Sequence, residues 1–159
     1  MPESVPFNVR PAVASDRAEV LALVPRLRAF GAPPPLHSPE ELDVGEARTL
    51  ERYFDAPSEH ARLFVAAGAD GAVLGAAYAE RAIDYFTLEA HGHLGILAVA
   101  AEAEGRGIGR ALLESVEQWS RAQGYRFVTL NVFTSNVRAL SVYERAGYRA
   151  DTVRYVKAL

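Results

Sequence analysis

The apolar positions change period along the chain, and each change marks an element. Phe7 to Arg10 alternates and stops at Pro11, as a short first strand does. Val20, Leu23, Val24 and Leu27 then recur at helical spacing behind Asp16 and Glu19, which stand three apart like a capping pair. Pro25 interrupts that face, so the helix should kink or split into two short pieces. Gly31-Ala32-Pro33-Pro34-Pro35 cannot carry a helix and reads as a stiff extended connector. After it, Ser38 and Pro39 have the form of a cap and first helical position. They open a second helix over Glu40 to Phe54, ending before Pro57.

The period then shortens. Arg62 to Ala66 and Val73 to Ala79 read as strands flanking Gly68-Ala69-Asp70-Gly71, whose Asp-Gly step suits a hairpin turn, and Glu80 to Phe86 can extend the second strand. Thr87 to His93 has turn composition, which makes His91 and His93 surface turn residues. A strand over His93 to Val99 leads into a glycine-spaced loop. Beyond the loop, Ile108, Leu112, Ser115, Trp119 and Ala122 share one helical face, and Gly124 ends that helix. Phe127 to Val132 reads as a buried strand, Val137 to Arg145 as a short helix stopped by Gly147, and Tyr148 to Val156 as one or two closing strands. A hairpin meander followed by strand-helix-strand crossovers predicts an α/β fold with one mixed sheet and helices on both faces.

Composition narrows the function. The 159 residues, half of them hydrophobic, suit a single domain over 1–159. A net charge of −3 with no Lys/Arg block argues against nucleic acid or a membrane surface as partner. Without cysteine, disulfides, thiol catalysis and thiolate metal sites are excluded. The histidines, at 37, 60, 91 and 93, match no ligand spacing on a helix, so no metal is expected. No leader-like or membrane-spanning stretch stands out, and a cytoplasmic location is expected.

The candidate chemistry starts at Glu104-Gly105-Arg106-Gly107-Ile108-Gly109-Arg110. Glycines at 105, 107 and 109 let the backbone turn tightly and approach a ligand. The loop opens a helix, whose unpaired N–H groups and positive dipole end favour an anion such as phosphate, and Arg106 and Arg110 could add donors. A Walker loop is excluded because Arg110 and Ala111 stand where it needs Gly-Lys, and a dinucleotide fingerprint would need Gly or Ala at Arg110.

Three linked segments carry a resemblance. They are Leu97-Ala98-Val99, then Gly105-Arg106-Gly107-Ile108-Gly109-Arg110-Ala111-Leu112-Leu113, then Asn136-Val137-Arg138-Ala139-Leu140-Ser141-Val142-Tyr143-Glu144-Arg145-Ala146-Gly147-Tyr148. Together they resemble the GCN5-related N-acetyltransferase (GNAT) superfamily, whose loop reads Gln/Arg-x-x-Gly-x-Gly/Ala. Its downstream helix reads Asn-x-x-Ala-x-x-x-Tyr-x-x-x-Gly-Phe/Tyr. Glu104 departs from that pattern, and a carboxylate there should weaken phosphate binding unless it points away.

The resemblance implies a mostly antiparallel mixed sheet with splayed central strands, and acetyl-CoA as co-substrate. Leu97, Ala98 and Val99 would pair with the pantetheine amides by β-augmentation. The backbone of Gly105, Arg106, Gly107, Ile108, Gly109 and Arg110 would hold the pyrophosphate, with Asn131, Asn136 and Ala139 along the cofactor arm. Tyr143 would be the general acid that protonates the leaving thiolate. No carboxylate occupies positions 95 and 96, where some members of the superfamily place one. The base is therefore open among Glu80, Glu89, His91, His93 and a water chain. The implied activity is acyl transfer from acetyl-CoA to a primary amine of a small molecule or peptide, by direct attack in a ternary complex. A protein N-terminal or lysine acetyltransferase, or a non-catalytic acyl-CoA-binding module, stands as the alternative. A homodimer is compatible with the sequence.

Overall fold

The computed structural model describes residues 6–159. The chain runs β1 (Phe7–Pro11), α1 (Arg17–Ala22), a 3-10 turn (Val24–Arg28), α2 (Pro39–Asp55), β2 (Ala61–Gly68), β3 (Val73–Ile83), β4 (Ala90–Val99), α3 (Ile108–Ala122), β5 (Val128–Leu130) and α4 (Val137–Arg145). The strands form one sheet in the order β1-β2-β3-β4-β5, antiparallel except for the parallel β4–β5 pair. The β2–β3 hairpin closes at Gly71, whose φ of +86° is the left-handed conformation that the Asp-Gly step supplies.

Several local rules act as the sequence predicts. Pro25 divides the first helical stretch into α1 and the 3-10 turn. Ser38 caps α2 by accepting from the Glu41 N–H at 3.1 Å, while the Glu41 carboxylate accepts from the Ser38 N–H at 2.8 Å. Asp16 and Glu19 do different work from the predicted cap. Asp16 is buried and accepts from both terminal nitrogens of Arg10, at 2.7 and 2.9 Å, and from the Val13 N–H. Glu19 accepts from the Val73 N–H at 2.8 Å, tying α1 to the start of β3.

Helices cover both faces of the sheet. On one face, Val20, Leu23, Val24, Leu27 and Leu50 meet Ala76, Ile96 and Ala98. On the other, α3 presents Ile108, Leu112, Leu113, Val116, Trp119 and Ser120 inward, while Ser115 is half-buried and Ala122 is exposed. A Cβ on Gly75 would lie 2.9 Å from the Ala98 carbonyl oxygen and 3.0 to 3.1 Å from Ile108 and Leu112, so the missing side chain seats α3 on β3.

Two predicted elements change. The strand expected over Phe127 to Val132 shrinks to Val128–Leu130, because β4 supplies register partners only from Gly92 to Leu94. Among the described residues no strand follows α4, so the closing strands expected over Tyr148 to Val156 are absent. That segment has no ladder partner, and Val153, Tyr155 and Val156 stand exposed. Alternation marks a side chain's potential face but cannot create the neighbouring strand.

Gly75→Ala should cost about 1–3 kcal/mol, because the nearest obstruction is backbone. Gly45→Ala, mid-helix in α2 with nothing within 4 Å of its Cβ position, should stabilise by about 0.5–1 kcal/mol. Urea unfolding of the two variants should therefore move the midpoint in opposite directions.

Candidate active site

The site begins where β4 leaves β5. Tyr78 pairs with Ile96 and Ala79 with Leu94, which leaves Gly95 as an extra residue in β4. Such a bulge bends its strand and increases the local twist. The last β5 pair, Leu94 with Leu130, lies immediately before it. From Gly95 to Val99, β4 therefore pairs with β3 alone, and its other edge is open. Ala100 donates to the Leu74 carbonyl on the β3 side. By strand alternation the polar groups of Val99 and Leu97 face the open edge.

That edge runs directly into the glycine loop. Gly105 and Gly107 adopt φ of +74° and +79°, and Gly107 caps α3 from the left-handed region. A Cβ at either position would meet nothing within 4 Å, so backbone conformation is what asks for glycine there. The first intrachain amide bond at this helix end is from Ala111 to the Gly107 carbonyl, 3.0 Å. Among the described residues, the amides from Gly105 to Arg110 have no backbone partner. Unpaired amide donors at a helix N-terminus, together with the helix dipole, favour an anion over a neutral group. Arg106 is exposed beside it. Arg110 pairs instead with Glu114 on the outer surface of α3, 2.8 Å.

Glu104, where the sequence departs from the loop pattern, is ion-paired on both sides. Its carboxylate is gripped by Arg26 from the 3-10 turn and by Arg138 from α4, the latter at 3.0 Å. Arg26 Nε also donates to the Val99 carbonyl at 3.2 Å, and Arg138 lies 4.1 Å from the centre of the Phe30 ring. The carboxylate thus belongs to a cluster with two guanidinium groups and one net positive charge.

Tyr143 lies on α4, half-buried against the core, with its ring edge-on to Tyr148 at 5.9 Å. Burial pushes its phenol up to about 12, and its hydroxyl has no hydrogen-bond partner among the described residues. Asn136 caps α4 by accepting from the Ala139 N–H at 3.1 Å, which engages both residues within the helix start. Asn131 stands exposed just beyond β5.

The histidines require a correction. His91 and His93 belong to β4, not to a surface turn, and His91 is buried. Both reach one hydroxyl on β5: His91 Nε2 and His93 Nδ1 lie 3.1 and 2.9 Å from Thr129 Oγ1. Glu80 is the register partner of His93, and its carboxylate accepts from the Tyr78 hydroxyl at 2.8 Å. Burial holds His93 below its ordinary value, against the opposing pull of Glu80. Of the candidate bases, Glu80, His91 and His93 are brought together on the face shared with Tyr78. Glu89 lies apart, paired with Arg126 at 2.7 Å. Sequence reasoning names these residues as separate candidate bases but misses that they cluster, although the His-x-His spacing that places both rings on one face of a strand is visible.

With this geometry in view, the family is plain. The model of the acetyltransferase (GNAT) family matches residues 30–148, and the chain belongs to that family. It is 31% identical over 122 residues to the streptothricin acetyltransferase of Streptomyces lavendulae, covering 77% of this chain and 61% of that protein. An uncharacterized N-acetyltransferase of Methanocaldococcus jannaschii is 37% identical over 93 residues, 58% of this chain and 56% of the relative. The chain thus spans little more than half the length of these relatives. A Trypanosoma brucei acetyltransferase superposes with a TM-score of 0.67 at 25% identity, covering 97% of this chain and 100% of the other. Aminoglycoside N-acetyltransferase AAC(6')-Iy, solved in complex with CoA, superposes with a TM-score of 0.75 at 18% identity, over 99% and 98%. That last likeness concerns the fold.

Because the folded protein resists protonation of His93, the stability this contributes is complete above the ordinary value of 6.5 and is lost as pH falls through the lower folded value. Between about pH 7 and about pH 5, the melting temperature of the native protein should therefore fall more steeply than that of His93→Gln.

Proposed function

We propose that the protein transfers an acetyl group from acetyl-CoA to a primary amine by direct attack in a ternary complex. The observation that carries this reading is the continuity of an unpaired β4 edge with an unpartnered amide cradle, since one long ligand with amides at one end and a diphosphate at the other would engage both. The Leu97 polar groups and the Val99 N–H on the open edge would receive the pantetheine amides, the Val99 carbonyl being taken by Arg26, and the amides from Gly105 to Arg110 would receive the diphosphate. Bound there, the thioester would supply the activated acetyl carbon.

Tyr143 would act as the general acid. The phenol carries its proton at neutral pH, as a donor must, but burial pushes it up to about 12 and makes it a weaker acid than a free tyrosine, so the transfer would rely on hydrogen bonding to the charge developing on the departing sulfur. His93 would receive the proton lost by the amine. Its depressed value keeps the ring neutral near pH 7, as a base must be. If Nδ1–H donates to Thr129 and the Thr129 hydroxyl donates to His91 Nε2, the His93 Nε2 lone pair is left to act. Glu80 would support the cation formed on that ring. The acceptor is read as a small polyamine-like antibiotic amine, supported by the names of the streptothricin and aminoglycoside acetyltransferases among its relatives.

Thiol release should be measured with acetyl-CoA and a panel of streptothricin, an aminoglycoside, spermidine and a lysine peptide. Turnover is expected with at least one small amine. Turnover on the peptide alone would redirect the reading to a protein acetyltransferase, and binding without turnover on any would make the protein a non-catalytic acyl-CoA module. Tyr143→Phe should lower kcat by about 10²-fold or more while sparing cofactor affinity; an equal loss of both would mark the tyrosine as structural. Gly107→Val, which forces a branched side chain into the left-handed region, should abolish acetyl-CoA binding measured by calorimetry in a still-folded protein.

A further inference from the structure

We propose that Glu104 is a positioning residue for cofactor capture. Its carboxylate would hold Arg26 at the open β4 edge and Arg138 at the start of α4, so that both guanidiniums border the amide cradle in fixed geometry. This deepens the functional reading above and rests on it.

The contacts join three segments that are distant in sequence. Glu104 immediately precedes the cradle glycine Gly105. One carboxylate oxygen takes Arg26 and the other takes Arg138, so both oxygens are committed. Arg26 bridges further, from Nε to the carbonyl of Val99, the last residue of the open edge. A guanidinium can make this double contact through its planar fork, whereas a lysine ammonium is a single point. Phe30 packs beneath the pair, with the two guanidinium carbons 5.3 and 4.1 Å from its ring centre. About three-quarters of the Arg26 side chain and of the Glu104 side chain is shielded from solvent, with 25% and 27% exposed, so the pair is better sheltered than a surface ion pair.

Two physical roles for Glu104 predict effects of opposite sign. If the carboxylate were only a tolerated negative charge near the diphosphate, removing it would add net positive charge and tighten cofactor binding. If it positions the arginines, removing it frees both side chains to move and weakens binding despite the gain in positive charge. The connections favour positioning. Glu104 links the end of β4, the 3-10 turn and α4, and α4 also carries Tyr143.

Acetyl-CoA affinity by calorimetry, kcat, KM and melting temperature should be measured for the native protein, Glu104→Gln, Arg138→Gln and the double variant. Glu104→Gln should raise Kd and the KM for acetyl-CoA by roughly ten-fold, with a smaller change in kcat and little change in melting temperature. The double variant should lose little beyond the single ones, because both substitutions break one linkage. Unchanged or tighter binding by Glu104→Gln would overturn the proposal, as would fully additive losses. Should Glu104→Gln not fold, Arg138→Gln, whose side chain is half exposed, carries the test, and unaltered affinity there overturns it as well. Failure of the native protein itself to bind acetyl-CoA would instead sink the underlying functional reading, which the native measurement alone reveals.

Discussion

The molecule depends on the parting of two strands. With Gly95 accommodated as an extra residue, β4 cannot keep both its neighbours: it stays with β3 and leaves β5 after Leu94. Polar groups in an unpaired stretch of sheet edge need a partner, and here the next chain segment is a loop whose amides are also unpaired. The same local irregularity thus creates a hydrogen-bonding edge and aims it at the loop of unpaired amides. Around it, Gly75 lets α3 approach β3 closely, which sets the end of the sheet against the helix mouth.

Charge at the mouth follows from long-range contacts. A carboxylate beside an anion site is unfavourable in isolation, yet Glu104 lies between Arg26 and Arg138, and the sum of the three charges is positive. The 3-10 turn created by Pro25 carries Arg26, so a proline that breaks a helix early in the chain helps compose a site built mostly from its second half.

Legibility in the sequence divides along physical lines. Features governed by local stereochemistry were readable: the Ser38–Glu41 cap, the break at Pro25, the Asp-Gly hairpin and the glycine loop opening α3 each depend on a few adjacent residues. The fold class followed from their order together with the resemblance of the loop and α4 motifs. What failed required knowledge of partners. Gly92 between two histidines looked like a turn, although alternation in β4 puts His91 and His93 on Thr129. Asp16 and Glu19 had the spacing of a cap but bond to Arg10 and Val73. The alternation after Gly147 promised strands that no neighbouring edge receives. The partners of Glu104 lie 78 and 34 residues away, beyond any local pattern.

The sheet is also uneven in how its strands are joined. β2, β3 and β4 follow one another as antiparallel neighbours, whereas β5 reaches the sheet only after the α3 crossover and holds it through three register pairs. Local unfolding begins where few bonds must break, so β5 is the place where the sheet opens at least cost. Amide hydrogen exchange at Val128–Leu130 should accordingly outpace that of β3. The strand beside the open edge of β4 would then be the most yielding part of the sheet, while the β3–β4 ladder holds its shape.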